Sequence, residues 1–420
     1  MTKLRFIAIA AAISAVCKVD AVEKLIVLNE GTWQNDNGRI TYFEDGKVVS
    51  NQWFRDVNKN KLGDTPNDII QVNDNLIAIS VNWSNIVQFI TPTGKAVAAT
   101  EKVPNNRKLA SDGRYVYVTS YGHECATRSG TMKFTKGFVA KIDITDFTVV
   151  TACEVGYEPE GIALYNGKLF IANTGGYSYS EKHDYETTVS VVDAETMTLI
   201  KDIDTGQINL YGDMSQSGKY LCINSAGDYY YVPAATIILD CESEEFAKLD
   251  YAATYNCTTT DGKFMAIGSQ FSYLTNNSTF NYITIDPATV MTSGPAGVSE
   301  KMPGTMISDI EKMTSPYGIY VNPYTGYIYA TDASSYEESG LLYQWSPQGK
   351  LLGKFKTYIN PAHFLALPPD GRFSGVENVA CDDYSDSDAP IYNLQGIKVS
   401  NPRPGVIYVR NGHKFVFNNN

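Results

Sequence analysis

Groups that titrate, coordinate or attack are sparse in this chain. It carries four histidines, His123, His183, His363 and His413. His123 and His183 fall in polar, glycine-containing stretches, where imidazoles can hold a metal or a metal-bearing ligand, although a loop histidine is as readily a plain surface residue. Glu158 and Glu160 stand two residues apart in GYEPEG and would suit calcium or acid–base work. Residues 57–68, VNKNKLGDTPND, bring Asp64 and Asp68 close to Asn58 and Asn60, without the regular spacing of a calcium loop. There is no GxSxG, HExxH, P-loop or EF-hand pattern. None of the seven cysteines sits in a CxxC pair, which argues against a zinc site. The densest feature is aromatic. Residues 171–186, IANTGGYSYSEKHDYE, leave an apolar run and place three tyrosines and His183 in a glycine-rich polar loop.

The elements that must position these residues repeat along the chain. NDNLIAIS (73–80), DGRYVYVT (112–119), NGKLFIAN (166–173), SGKYLCIN (217–224), DGKFMAIG (261–268) and TGYIYATD (325–332) share one plan: a turn pair, an apolar or alternating run, then a small polar residue. That plan is a tight hairpin feeding a β-strand. Cys222, inside KYLCIN, reads as a small core residue. A second hairpin signal follows in most copies, as in KIDITDFTVV, VVDAETMTLI and TIDPATVMTS, and long helical periodicity is absent. Four antiparallel strands per unit define a β-propeller blade. KLIVLNEG (24–31) lacks a first strand and NPAHFLALPP (360–369) lacks a second, so the two termini join into one more blade. The expected fold is all-β: a seven-bladed propeller over residues 22–370, closed by its own end strands.

In such a ring the second strands all end on one face, together with the blade-to-blade connections. Trp33, Trp83, Tyr121, His123, Tyr177, Tyr179, Tyr229, Tyr230, Phe271, Tyr273 and Tyr336 follow second strands. The connections add Arg107, Tyr157, Tyr211, Tyr317 and Tyr358. Every blade thus contributes a ring flanked by Asn, Ser, Thr, Asp or Gly. Tyr and Trp supply rigid apolar area with a polar handle, which suits a large, flat, partly polar ligand. Packing between blades would use the same residue types. These sixteen residues are the candidate ligand-binding set; no catalytic or metal-binding residue is assigned and no cofactor is required.

Composition bounds the rest. The 420 residues carry a net charge of −12, which disfavours nucleic acid and anionic membranes as partners. Residues 1–21 have a basic start (Lys3, Arg5), a short apolar core and Val19-Asp20-Ala21, the pattern of a cleaved secretory signal. Cys17 raises lipidation as an alternative, with Ser14-Ala15-Val16 a poor lipobox. Residues 371–389 read as an acidic linker. Residues 390–420 read as a separate mini-domain of three short strands.

The pattern of KIDITDFTVV, VVDAETMTLIKDIDTG and PEGIALYNGKLFIANTGG resembles the YncE-like seven-bladed propellers, over most of residues 22–370. The tail IYNLQGIKVSNPRPGVIYVRNGHKFVF is similar to C-terminal sorting or anchoring segments of Bacteroidetes exported proteins. Together these resemblances imply a cell-surface, outer-membrane or extracellular protein. The BtuG-type propellers of that phylum capture cobalamin and pass it to an outer-membrane transporter. The resemblance therefore implies a monomeric, non-catalytic capture protein for a cobalamin-like small molecule. A protein or glycan adhesion module and a metal-dependent, lactonase-like hydrolase remain alternatives.

Overall fold

One turn shows how the strands are cut to length. Asn166 and Gly167 both take positive φ, 46° and 77°. That is the geometry of a two-residue hairpin whose twist matches its strands. It joins Pro159–Tyr165 to Lys168–Asn173. The same device recurs at Asp45-Gly46, with φ 47° and 72°, between Arg39–Glu44 and Lys47–Ser50, and the result is the expected ring.

The computed structural model describes residues 23–123, 135–177, 183–368 and four short strands beyond residue 390. The signal-like segment, Cys17, Cys125, Tyr179, Cys381 and the acidic linker lie outside the described residues. Residues 23–367 form one compact unit containing seven four-stranded antiparallel sheets. Six are continuous in sequence, for example Pro66–Asn73, Leu76–Val81, Ile86–Ile90 and Ala96–Thr100. The seventh combines Pro361–Leu367 with Lys24–Asn29, Arg39–Glu44 and Lys47–Ser50. Its seam pairs Leu25 with Ala366 and Val27 with Phe364.

Second strands are apolar along their whole length because blades cover both of their faces. Every residue of Leu76–Val81 is buried. The outermost strand Thr148–Glu154, by contrast, exposes all but Cys153. Each of the seven blade interfaces carries its own apolar cluster. Between the first two blades, for instance, Val87 and Phe89 meet Leu109, Val118 and Ala140. Cys222 is fully buried in one of these clusters, and Cys153, Cys241 and Cys257 are likewise buried free thiols.

The fifth blade departs from the sequence reading. TIDPATVMTS was read as a hairpin, but Pro287–Ser293 is a helix. Asp286 caps it by accepting from Thr289 N, and Pro287 occupies its first turn, a start signal strong enough to override the strand repeat. The blade's outer strand is only Val298–Ser299. Its two middle strands, Phe264–Ser272 and Asn277–Ile285, are nine residues each and form an extended hairpin. In the second compact unit the tail forms four strands rather than three, ordered Lys398–Val399, Ile391–Tyr392, Ile407–Arg410, His413–Val416.

First strands of neighbouring blades touch one another around the ring, so they line the central channel. Residues that open a first strand therefore stand at the channel mouth, on the face where second strands end.

Candidate functional site

The channel mouth is built from charged residues placed early in otherwise apolar strands. Arg107 and Lys108 open Asn106–Ser111, Glu160 opens Pro159–Tyr165, and His363 opens Pro361–Leu367. Asp213 precedes Met214–Ser217, and Glu30 follows Lys24–Asn29. Arg107 grips Glu160 Oε1 with Nη2 at 2.6 Å and Nε at 2.8 Å. The Tyr121 hydroxyl donates to the same oxygen, and the guanidinium lies 5.0 Å from the Tyr121 ring centre. Glu160 Oε2 is buried without a hydrogen-bond partner, which costs on the order of 1–3 kcal/mol where a carboxylate is otherwise desolvated. Lys108 Nζ pairs with Asp213 Oδ1 at 2.8 Å and donates to Asn67 O at 3.1 Å. Glu30 accepts from the Tyr317 hydroxyl at 2.7 Å and sits 3.2 Å from His363 Nε2.

These groups line two adjoining cavities, one of about 90 Å³ at the mouth and one of about 360 Å³ further along the channel. Lys108, Asp213 and His363 border both. Burial raises the Asp213 carboxyl, but the Lys108 charge outweighs it and leaves the group below its usual range. Glu30 is likewise held low, burial being overcome by His363 and Tyr317. Asp68 goes the other way, because there burial exceeds the pull of Lys108. Burial also pushes the hydroxyls of Tyr211, Tyr255 and Tyr317 up, so these rings stay neutral.

The aromatic candidates fall into local groups around this mouth. Trp33 and Trp83 meet edge to face at 5.0 Å, with Trp33 61% exposed. Tyr230 stacks on Tyr273 at 5.1 Å, and Phe271 meets Tyr273 edge-on at 4.9 Å. Tyr229 joins them through its carbonyl, which accepts from Tyr273 N at 3.0 Å. Tyr317 contacts Tyr336 at 5.6 Å and Tyr255 at 5.9 Å. Tyr157 stacks on His183 at 3.9 Å, and His183 Nε2 lies 3.2 Å from Glu158. Tyr211 and Tyr336 are exposed.

Three placements correct the sequence reading. Tyr121 and His123 are buried, not presented on the face, because Tyr121 turns inward to Glu160 and packs on Tyr177 at 5.6 Å. Tyr358 is half-buried under the Arg39 guanidinium, 3.9 Å from its ring centre. Arg107 is committed to an ion pair. Glu158 and Glu160 are not a working carboxylate pair either, since they answer to different partners, His183 and Arg107. Among the described residues, no group of three or more His, Cys, Asp or Glu side chains is arranged to hold a metal ion. The sequence reading missed Glu30, Lys108, Asp213 and His363 as mouth residues, and the exposed Tyr231 and Phe280 beside the Tyr230 group. Lys108 and His363 carry one sequence signal, a titratable residue at the third position of a first strand.

No protein-family model matches the sequence. No curated protein matches it either. Solved structures share the fold. Hydrazine synthase from Kuenenia stuttgartiensis aligns with a TM-score of 0.52 at 15% identity, over 71% of this chain and 88% of that one. A protein of unknown function from Desulfotomaculum acetoxidans gives 0.52 at 14%, over 83% and 99%. A quinoprotein alcohol dehydrogenase-like protein from Bacteroides thetaiotaomicron gives 0.50 at 11%, over 81% and 77%. At such identities the likeness speaks for the propeller fold alone, and it places this chain in that structural class.

Proposed function

We propose that this propeller is an exported, non-catalytic binding protein that takes a flat, partly polar ligand on its aromatic face. The observation that carries this is the set of rings left exposed on loops of one face: Trp33, Tyr211, Tyr229, Tyr230, Tyr273 and Tyr336. Exposed rings in such number are unusual unless something covers them. A corrinoid of the cobalamin type is the sharpest candidate, on the resemblance to the YncE-like surface propellers. The mouth cavity of about 90 Å³ cannot enclose such a molecule, so it would lie across the loops, and an outer-membrane transporter would receive it. Hydrolysis is the weaker reading, because the mouth carboxylates Glu30, Glu160 and Asp213 are engaged by His363, Arg107 and Lys108.

Calorimetric titration of the full chain with cyanocobalamin tests this. Saturable binding that is lost in a Tyr230→Ala/Tyr273→Ala variant supports corrinoid capture at this platform. Binding that survives the double change keeps the function and moves the site. No heat and no thermal shift at large excess removes the corrinoid. The stacked Tyr230–Tyr273 pair, exposed by 52% and 61%, then favours glycan adhesion, tested on a glycan array.

A further inference from the structure

The fifth blade leaves one strand edge open. Its outer strand, Val298–Ser299, pairs only with Ile285 and Thr284. The strand inside it runs from Asn277 to Ile285, so Asn277–Ile283 has a strand neighbour on one side alone. In the third blade, by contrast, Thr198–Asp204 pairs along the whole of Thr188–Asp193. The other edge of the extended hairpin is covered: Tyr273 N donates to Tyr229 O at 3.0 Å and Ser269 N to Thr254 Oγ1 at 3.3 Å. Among the described residues, nothing outside the hairpin hydrogen-bonds the main chain of Asn277–Ile283. Thr279 and Phe280 are both exposed, so water reaches both faces of this strand. Open edges are usually guarded by charge, proline or a bulge. Four of the other blades carry lysines on their outer strands, Lys47, Lys201, Lys248, Lys354 and Lys356. The first blade's outer strand, Ala96–Thr100, is bounded by Lys95 and Glu101. Here every guard is missing. From Phe264 to Ile285 no residue is charged and none is proline, in a chain that is 19% charged. The ladder between the two long strands runs without a bulge.

We propose that this edge pairs with the same edge of a second copy of this chain, antiparallel about a twofold axis near Phe280, so that two blades join into one sheet. The absence of charge selects a second copy. About a twofold axis like meets like, so a charge on the strand would face its own kind. Two chains that each carry −12 approach most easily where neither presents a charge. A foreign strand would instead profit from complementary charge, and none is offered. Pairing completes the ladder of main-chain groups along Asn277–Ile283 and covers Phe280, 62% exposed in a single copy, with its counterpart. The result is a dimer where the resemblance implies a monomer. It uses the outer edge of the hairpin and not the Tyr230–Tyr273 pair, so it stands or falls apart from the corrinoid reading.

The test is sedimentation velocity of the full chain under reducing conditions over about 1–300 µM, the range in which a small interface saturates. A species of twice the mass that builds up with concentration and goes no further is expected. Phe280→Lys and Phe280→Glu should each weaken association about tenfold or more, because like charges then meet across the axis. An equimolar mixture of the two variants should recover it, since residue 280 of one copy lies opposite or diagonal to residue 280 of the other. Thr279→Lys acts from the other face of the same strand and decides if Phe280→Lys does not fold. A monomer at every concentration, association that continues past two copies, a dimer unchanged by Phe280→Lys and Thr279→Lys, or a mixture that stays monomeric would each overturn the proposal.

Discussion

Arg107 and Glu160 meet where water has little access, their side chains 17% and 0% exposed. Removing one partner of such a pair leaves the other buried and uncompensated. Arg107→Ala should therefore cost about 2–4 kcal/mol in urea unfolding, whereas Lys61→Ala, whose pair with Asp36 is largely exposed, should cost under about 0.5 kcal/mol. Asp213 gives a pH signature with a definite sign. Its folded-state acidity is increased beside Lys108, so its contribution is present above the unfolded carboxyl value of about 4 and is lost as pH falls through the lower folded value. Asp213→Asn should be less stable than the parent at pH 7, and the gap should close below about pH 4. Melting curves from pH 7 to pH 2 check this; a constant gap would mean the carboxylate gains nothing from Lys108. None of this was readable from spacing. Arg107, Tyr121 and Glu160 belong to two blades, and their meeting is decided by how blades stack, not by any motif. The aromatic loops were readable because turn chemistry is local, yet which rings turn inward was not, as Tyr121 shows.

Among the elements, the strand repeat was plain in the sequence because each hairpin is fixed by a few adjacent residues, as Asn166-Gly167 shows. The helix Pro287–Ser293 was misread because its cap, Asp286-Pro287, sits where other blades place a turn. The extended hairpin of the fifth blade carries Phe271, Tyr273 and Phe280 beyond the blade core, with Tyr273 and Phe280 exposed. Tyr230→Ala/Tyr273→Ala should thus change stability by under about 1 kcal/mol, as surface substitutions do. A thermal melt checks this, and a larger loss would make the pair structural. Leu25, fully buried at the seam, contrasts with it. Leu25→Ala should cost about 2–5 kcal/mol, read from denaturant midpoints.

For the whole molecule, closure by the end strands means that no blade can be dropped without opening the ring. A chain ending at residue 360 lacks Pro361–Leu367 and leaves Lys24–Asn29 unpaired on one side. An exposed apolar strand edge recruits other chains. The truncated protein should scatter more light on refolding than the full chain does under the same conditions, as light-scattering measurements would report.

The same seam sets a timetable for folding. Leu25 is made well before its partner Ala366, which lies 341 positions later in the chain. Six blades can assemble as they emerge, but the first strand must wait for almost the entire ring to be synthesised. Until then it remains an apolar ribbon with one open side, and such long-range pairing is intrinsically slow. The chain therefore passes through a long-lived open arc before it becomes a circle. Anything that must thread it through a pore, or hold it unfolded, has that interval in which to act.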